Sequence, residues 1–160
     1  WNRNGAAFTD NRYSRGHRWL FDGDVEVPAS SSPHVVPLPL SVAAAVDPEE
    51  AFVASLSSCH MLWLLSIAAR RGFVVESYRD EATGTIEQTD DGGGHFTGAT
   101  VRPVVEISAG DPELALALHR QANEKCFIAS SVNFESRIVT TSGTNGSKNH
   151  CSDASLPVRS

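Results

Sequence analysis

Residues 47–72 read DPEEAFVASLSSCHMLWLLSIAARRG, and nearly every position in that run argues for one long helix. Asp47 is a good N-cap, Pro48 suits the first helical position, and Glu50 stands three after the cap as in a capping box. Arg70 and Arg71 complement the negative end of the helix dipole, and Gly72 stops the helix. At about 1.5 Å per residue it would be roughly 35 Å long, the width of a small domain. It is apolar or small nearly all round, so it is expected to run buried through the centre. Ala51 to Ala69 carries no formal charge, and about 17–25 apolar residues suffice to cross a bilayer. Ser55, Ser57, Ser58, Cys59, His60 and Ser66 dilute that stretch, and its flanks read as soluble helix ends. A core helix is expected, and no membrane.

Outward from this helix the patterns change. Tyr13, Arg15, His17, Trp19 and Phe21 alternate with Ser14, Gly16, Arg18 and Leu20 at the period of a strand, and Asp22-Gly23 turns into Val25-Glu26-Val27. Trp1 to Phe8 reads as the end of a strand, with a short preceding piece expected to be missing. Residues 29–39 form a connector, because Pro33, Pro37 and Pro39 exclude helix. Beyond the long helix, residues 73–87 and 96–108 read as two strands around a hairpin turn at 90–94. Asp111-Pro112-Glu113 opens a second helix, carrying Leu114, Leu116, Leu118 and Ala122 toward Cys126. Residues 132–139 alternate as a closing strand. From Thr140 the composition turns polar, which predicts a disordered tail after a single domain over residues 1–139.

Composition narrows the function. The chain has 160 residues, 41% hydrophobic and 20% charged, ordinary for a globular protein. A net charge of −6 leaves no basic face to neutralise phosphates, so nucleic acid is not the expected partner. Three cysteines are too few for a secreted disulfide scaffold and fit a reducing cytoplasm, with one reactive pair and a spare thiol, Cys151, in the tail. Histidines 17, 34, 60, 95, 119 and 150 and the cysteines show none of the close zinc spacings. There is no nucleophile elbow, phosphate-binding glycine loop or dinucleotide fingerprint.

The remaining chemistry is thiol chemistry. Cys59 lies mid-helix, and Cys126 lies near the end of the second helix, where the dipole disfavours a thiolate. If both react, Cys59 attacks and Cys126 resolves. Glu49 shares the helix of Cys59, although its spacing by itself is met by simple dipole complementation. Arg15 stands among aromatics and needs a carboxylate or anionic partner if covered. His119 shares the helix face of Cys126, where core packing is the plainer role.

Tyr13-Ser14-Arg15-Gly16-His17-Arg18-Trp19, Val27-Pro28-Ala29-Ser30-Ser31-Ser32-Pro33, Asp47-Pro48-Glu49-Glu50-Ala51-Phe52, Ser57-Ser58-Cys59-His60-Met61 and Cys126-Phe127-Ile128-Ala129-Ser130-Ser131-Val132 together resemble the OsmC/Ohr family of thiol peroxidases, on its OsmC-like branch. The similarity runs from about Trp1 to Glu135. It departs at Asn123, where histidine is usual, and in the tail from Thr140.

The resemblance implies an α+β fold, two central helices wrapped by antiparallel sheets, and an intertwined homodimer with active sites at the subunit interface. It implies a peroxidase of oxidative or osmotic stress that reduces organic hydroperoxides to alcohols. Cys59 would be the peroxidatic thiolate, Cys126 the resolving thiol, and Glu49 with Arg15 a salt-bridged pair that organises the site; Arg18 is the alternative to Arg15. A dithiol, of dihydrolipoyl type or another, would reduce the resulting disulfide, and no metal or organic cofactor is required. A thiol-based redox sensor or binding module without rapid turnover is the rival reading.

Overall fold

The computed structural model describes residues 1–143 and forms two compact units, Trp1–Phe52 and a second that begins at Val53. In the first unit, β1 (His17–Leu20) and β2 (Glu26–Ala29) form the expected antiparallel hairpin, with Trp19 opposite Val27 and Leu20 opposite Glu26. Residues 22–24 make its tight turn, where Gly23 and Asp24 take left-handed backbones (φ 72° and 59°).

The strand expected from Tyr13 starts only at His17. Upstream, the Arg15 amide donates to the Leu40 carbonyl at 2.7 Å and the Gly16 amide to Ser14 Oγ at 3.1 Å, so the backbone leaves the ladder. Trp1 to Phe8 is likewise no strand. It turns on itself, with the Ala6 amide bonded to the Arg3 carbonyl and Asn4 at φ 50°. The connector after β2 is non-helical, as its prolines require, and returns beside the hairpin through Ser30 and Val46.

Helix α1 spans Pro48–Arg70. Its start is a reciprocal capping box: the Glu50 amide donates to Asp47 Oδ1 at 2.8 Å, and the Asp47 amide to Glu50 Oε2 at 3.3 Å. Its end is a Schellman motif, with the Phe73 amide on the Ala68 carbonyl, the Gly72 amide on the Ala69 carbonyl, and Gly72 at φ 78°.

In the second unit the two long strands expected after α1 are each broken. They form β3 (Val74–Asp80), β4 (Thr83–Gln88), β5 (Gly94–Val101) and β6 (Pro103–Ala109). The break is stitched from both sides: the Arg102 amide donates to Asp80 Oδ1, and its guanidinium to the Glu81 carbonyl and Thr83 Oγ1. Pro103 then opens β6, the position in a strand where a missing N–H costs least. The halves enter different three-stranded sheets, ordered β3-β6-β8 and β4-β5-β7, where β7 is Glu135–Ile138 and β8 is Thr141–Gly143. The consecutive pairs are antiparallel, but β7 on β5 and β8 on β6 are parallel, so both sheets are mixed. β8 falls within the segment read as tail; residues 144–160, with Cys151, lie outside the described residues.

Helix α2 (Pro112–Lys125) buries Ala115, Leu118, His119 and Ala122 at helical spacing, while Leu114 is exposed rather than core. Leu118 and Ala122 pack with Leu64, Ile67, Ala68, Phe73 and Val105. Gly84 permits close approach of β4 to α1, since a Cβ there would stand 2.8 Å from Val53 and 2.7 Å from Phe96.

The burial of α1 differs from expectation. Its apolar stretch has a mean hydropathy of 1.6, yet only 22% of it is buried. Leu56, His60, Leu64, Ile67 and Ala68 mark one face turned inward, and Leu62 is 62% exposed on another. Among the described residues, only one side of this largely apolar helix is covered.

Candidate active site

Cys59 projects from the fourth turn of α1, and Cys126 lies immediately after the last residue of α2. Both are free thiols, and Cys59 packs against the buried cluster that holds Cys126. Leu56, Ala99 and Ala129, with Trp63, Ile128 and Phe134, enclose them. Their surroundings are unequal. Cys59 is half-buried, whereas Cys126 is fully buried. Burial, and then neighbouring Cys59, push the Cys126 thiol up to about 11; the Ala129 amide, donating to Cys126 Sγ at 3.3 Å, opposes this weakly. At neutral pH Cys126 therefore keeps its proton. The short helical turn Ala129–Ser131 fixes this corner, with the Ser130 amide bonded to the Cys126 carbonyl.

In the first unit a cavity of about 440 Å³ is lined by Arg15, His17, Ser31, Ser32 and Glu49, with an apolar wall from Trp1, Phe8, Tyr13, Val35 and Pro48. Phe8 stacks on Tyr13 with centroids 4.7 Å apart, and the Arg15 guanidinium carbon lies 3.9 Å from the Tyr13 ring centre, a cation–π contact. Ser31 Oγ is buried without a hydrogen-bond partner among the described residues.

The salt bridge expected between Arg15 and Glu49 is absent from the ion pairs of the described residues, although both side chains line this cavity. The guanidinium bonds instead to Asn11 and to the Tyr13 carbonyl. Arg18 is placed differently. It is exposed on β1 and ion-paired with Glu26 at 2.5 Å, and neither residue lines the cavity.

One cluster escaped the sequence reading. His60, adjacent to Cys59 in sequence, is buried against His119, with Nε2 and Nδ1 3.0 Å apart. Burial lowers His60 to about 4, with nearby Asp80 acting in the opposite sense, and lowers His119 to about 3 through burial and then His60. His119 thus pairs with another imidazole. Helical periodicity assigns each histidine to a face of its own helix, but it carries no signal that the two meet. Among the described residues no group of three His, Cys, Asp or Glu side chains could hold a metal ion.

Residues 41–141 match the sequence model of the family described as OsmC-like protein. An OsmC-like protein of unknown function from Vibrio cholerae O1 biovar eltor is 50% identical, with a TM-score of 0.80 over 89% of this chain and 94% of that one. An organic hydroperoxide resistance protein from Elizabethkingia anophelis shares the fold at 18% identity and a TM-score of 0.61, over 82% and 90% of the two chains. One from Legionella pneumophila does so at 16% and 0.60, over 81% and 90%. No match is found among curated proteins.

Proposed function

Since this chain belongs to the OsmC-like protein family, we propose that it is a two-cysteine thiol peroxidase that reduces organic hydroperoxides to alcohols in oxidative or osmotic stress defence. The observation that carries this reading is the packing of two free thiols in one cluster with unequal surroundings, one half-exposed and one buried with its proton held. Such a pair can divide the labour of attack and resolution.

The Cys59 thiolate attacks the distal peroxide oxygen and breaks the O–O bond. The alkoxide leaves and takes up a proton as alcohol, and Cys59 becomes a sulfenic acid. Cys126 Sγ then attacks the sulfenic sulfur. Its thiol proton joins the departing hydroxide as water, and a disulfide remains. The bridge, with an S–S distance of about 2.05 Å, joins two residues of one packed cluster. An external dithiol, of dihydrolipoyl type or another, restores both thiols and is itself oxidised.

In this reading Arg15 stabilises the Cys59 thiolate and polarises the peroxide, and Glu49 lines the same cavity as Arg15 without pairing with it. The protein works in the cytoplasm as a homodimer in which a second copy covers the apolar face that α1 leaves bare; the exposed Leu62 supports this.

Steady-state reduction of cumene hydroperoxide with dihydrolipoamide tests the reading. Cys59→Ser is expected to abolish turnover, and Cys126→Ser to react once and leave a sulfenic acid trapped by dimedone. Full turnover in Cys59→Ser would refute the peroxidase, while stoichiometric oxidation of the wild type without turnover would make the protein a redox sensor.

A further inference from the structure

We propose that Asn11 is a positioning residue for Arg15, holding its guanidinium through neutral acceptors so that the full positive charge stays available to the reaction. The inference rests on the peroxidase reading, in which Arg15 serves the thiolate and the peroxide. It concerns a residue in none of the motifs that suggested that reading.

Asn11 takes a left-handed backbone, φ 58°, a region that side chains other than glycine rarely occupy and that Asn tolerates best. The turn is closed by its amide donating to the Phe8 carbonyl at 3.1 Å. That conformation turns both of its oxygens to one ligand. Arg15 Nη2 donates to Asn11 Oδ1 at 2.7 Å and to the Asn11 carbonyl at 3.2 Å, and Nη1 donates to the same carbonyl at 3.1 Å and to the Tyr13 carbonyl. The Tyr13 ring supports the guanidinium from its face.

The backbone of Arg15 is held as well. Trp19 Nε1 can only donate, and it donates to His17 Nε2 at 3.1 Å; this network places the imidazole proton on Nδ1, which donates to the Arg15 carbonyl at 2.8 Å. Every acceptor around the guanidinium is uncharged. A carboxylate in place of the Asn11 amide would orient Arg15 equally well but neutralise it.

Two variants separate orientation from charge. Asn11→Gly accepts the same backbone and deletes the whole side chain, so of the two Asn11 acceptors only the carbonyl is left. Asn11→Asp keeps an acceptor there and adds a negative charge. In single-turnover oxidation by cumene hydroperoxide, Asn11→Gly should slow Cys59 oxidation about tenfold, the worth of one hydrogen bond to a charged group, without lowering the melting temperature. Asn11→Asp should move the pH profile of Cys59 alkylation to higher pH. In an Arg15→Ala background, Asn11→Gly should cost nothing further.

A wild-type rate in Asn11→Gly beside a slow Arg15→Ala would overturn the inference alone. So would an equal loss from Asn11→Gly in both backgrounds. A wild-type rate in Arg15→Ala would remove the role of Arg15 itself, and this inference with it.

Discussion

His60 and His119 make the folded chain sensitive to acid. Unfolded, each binds a proton near pH 6.5; folded, His60 does so only at about 4 and His119 at about 3. Between those limits the unfolded state holds more protons, so stability is complete above pH 6.5 and is lost as pH falls toward 4. For His60 alone the loss is about 3 kcal/mol. Urea midpoints measured from pH 7.5 to 4.5 should fall steeply in the wild type and more gently in His60→Leu/His119→Leu. Parallel slopes would assign the acid sensitivity elsewhere. The variant also removes a structural cost, because His60 Nδ1 is buried without a partner among the described residues. At this scale the sequence was partly legible. Cys59 and Cys126 stand out by residue type and by their places relative to helix ends. Asn11 does not, because its role comes from a left-handed turn that residue identity alone does not reveal.

Elements whose signals are local were legible in full. The cap of α1 follows from Asp47, Pro48 and Glu50, and the stop from Gly72, each acting within one turn of chain. Asp47→Ala should cost about 1 kcal/mol, a loss of a few degrees in thermal midpoint, while Glu50→Gln should cost less because the reciprocal bond can still form. Equal midpoints for Asp47→Ala and wild type would show that packing, not the cap, holds the helix start. The strands were less legible. Residues 73–87 look continuous because their composition is uniform. What divides them is Arg102 reaching back to Asp80, Glu81 and Thr83, a tie between distant parts of the chain. The late start of β1 has the same origin, since it is Leu40 that draws Arg15 out of the ladder.

For the molecule as a whole, the α+β class was legible from the order of periodic segments, and the burial of the long helix was not. Hydropathy reports what a helix prefers to touch, not which chain supplies the contact. Sedimentation equilibrium should therefore show two chains per particle, and Leu62→Glu should shift the population toward monomer with its helical circular dichroism retained. A monomeric wild type at tens of micromolar would leave the bare face of α1 without the partner assigned to it. The parallel strand β8 bears on any such measurement. Its three residues pair with β6 at Val104, Val105 and Glu106, which makes that part of β6 interior to the sheet. A chain trimmed at Thr140 would present that part of the strand to its neighbours as a template for aggregation. Light scattering from such a shortened protein would then report sticky sheet edges and mask the pairing of helices.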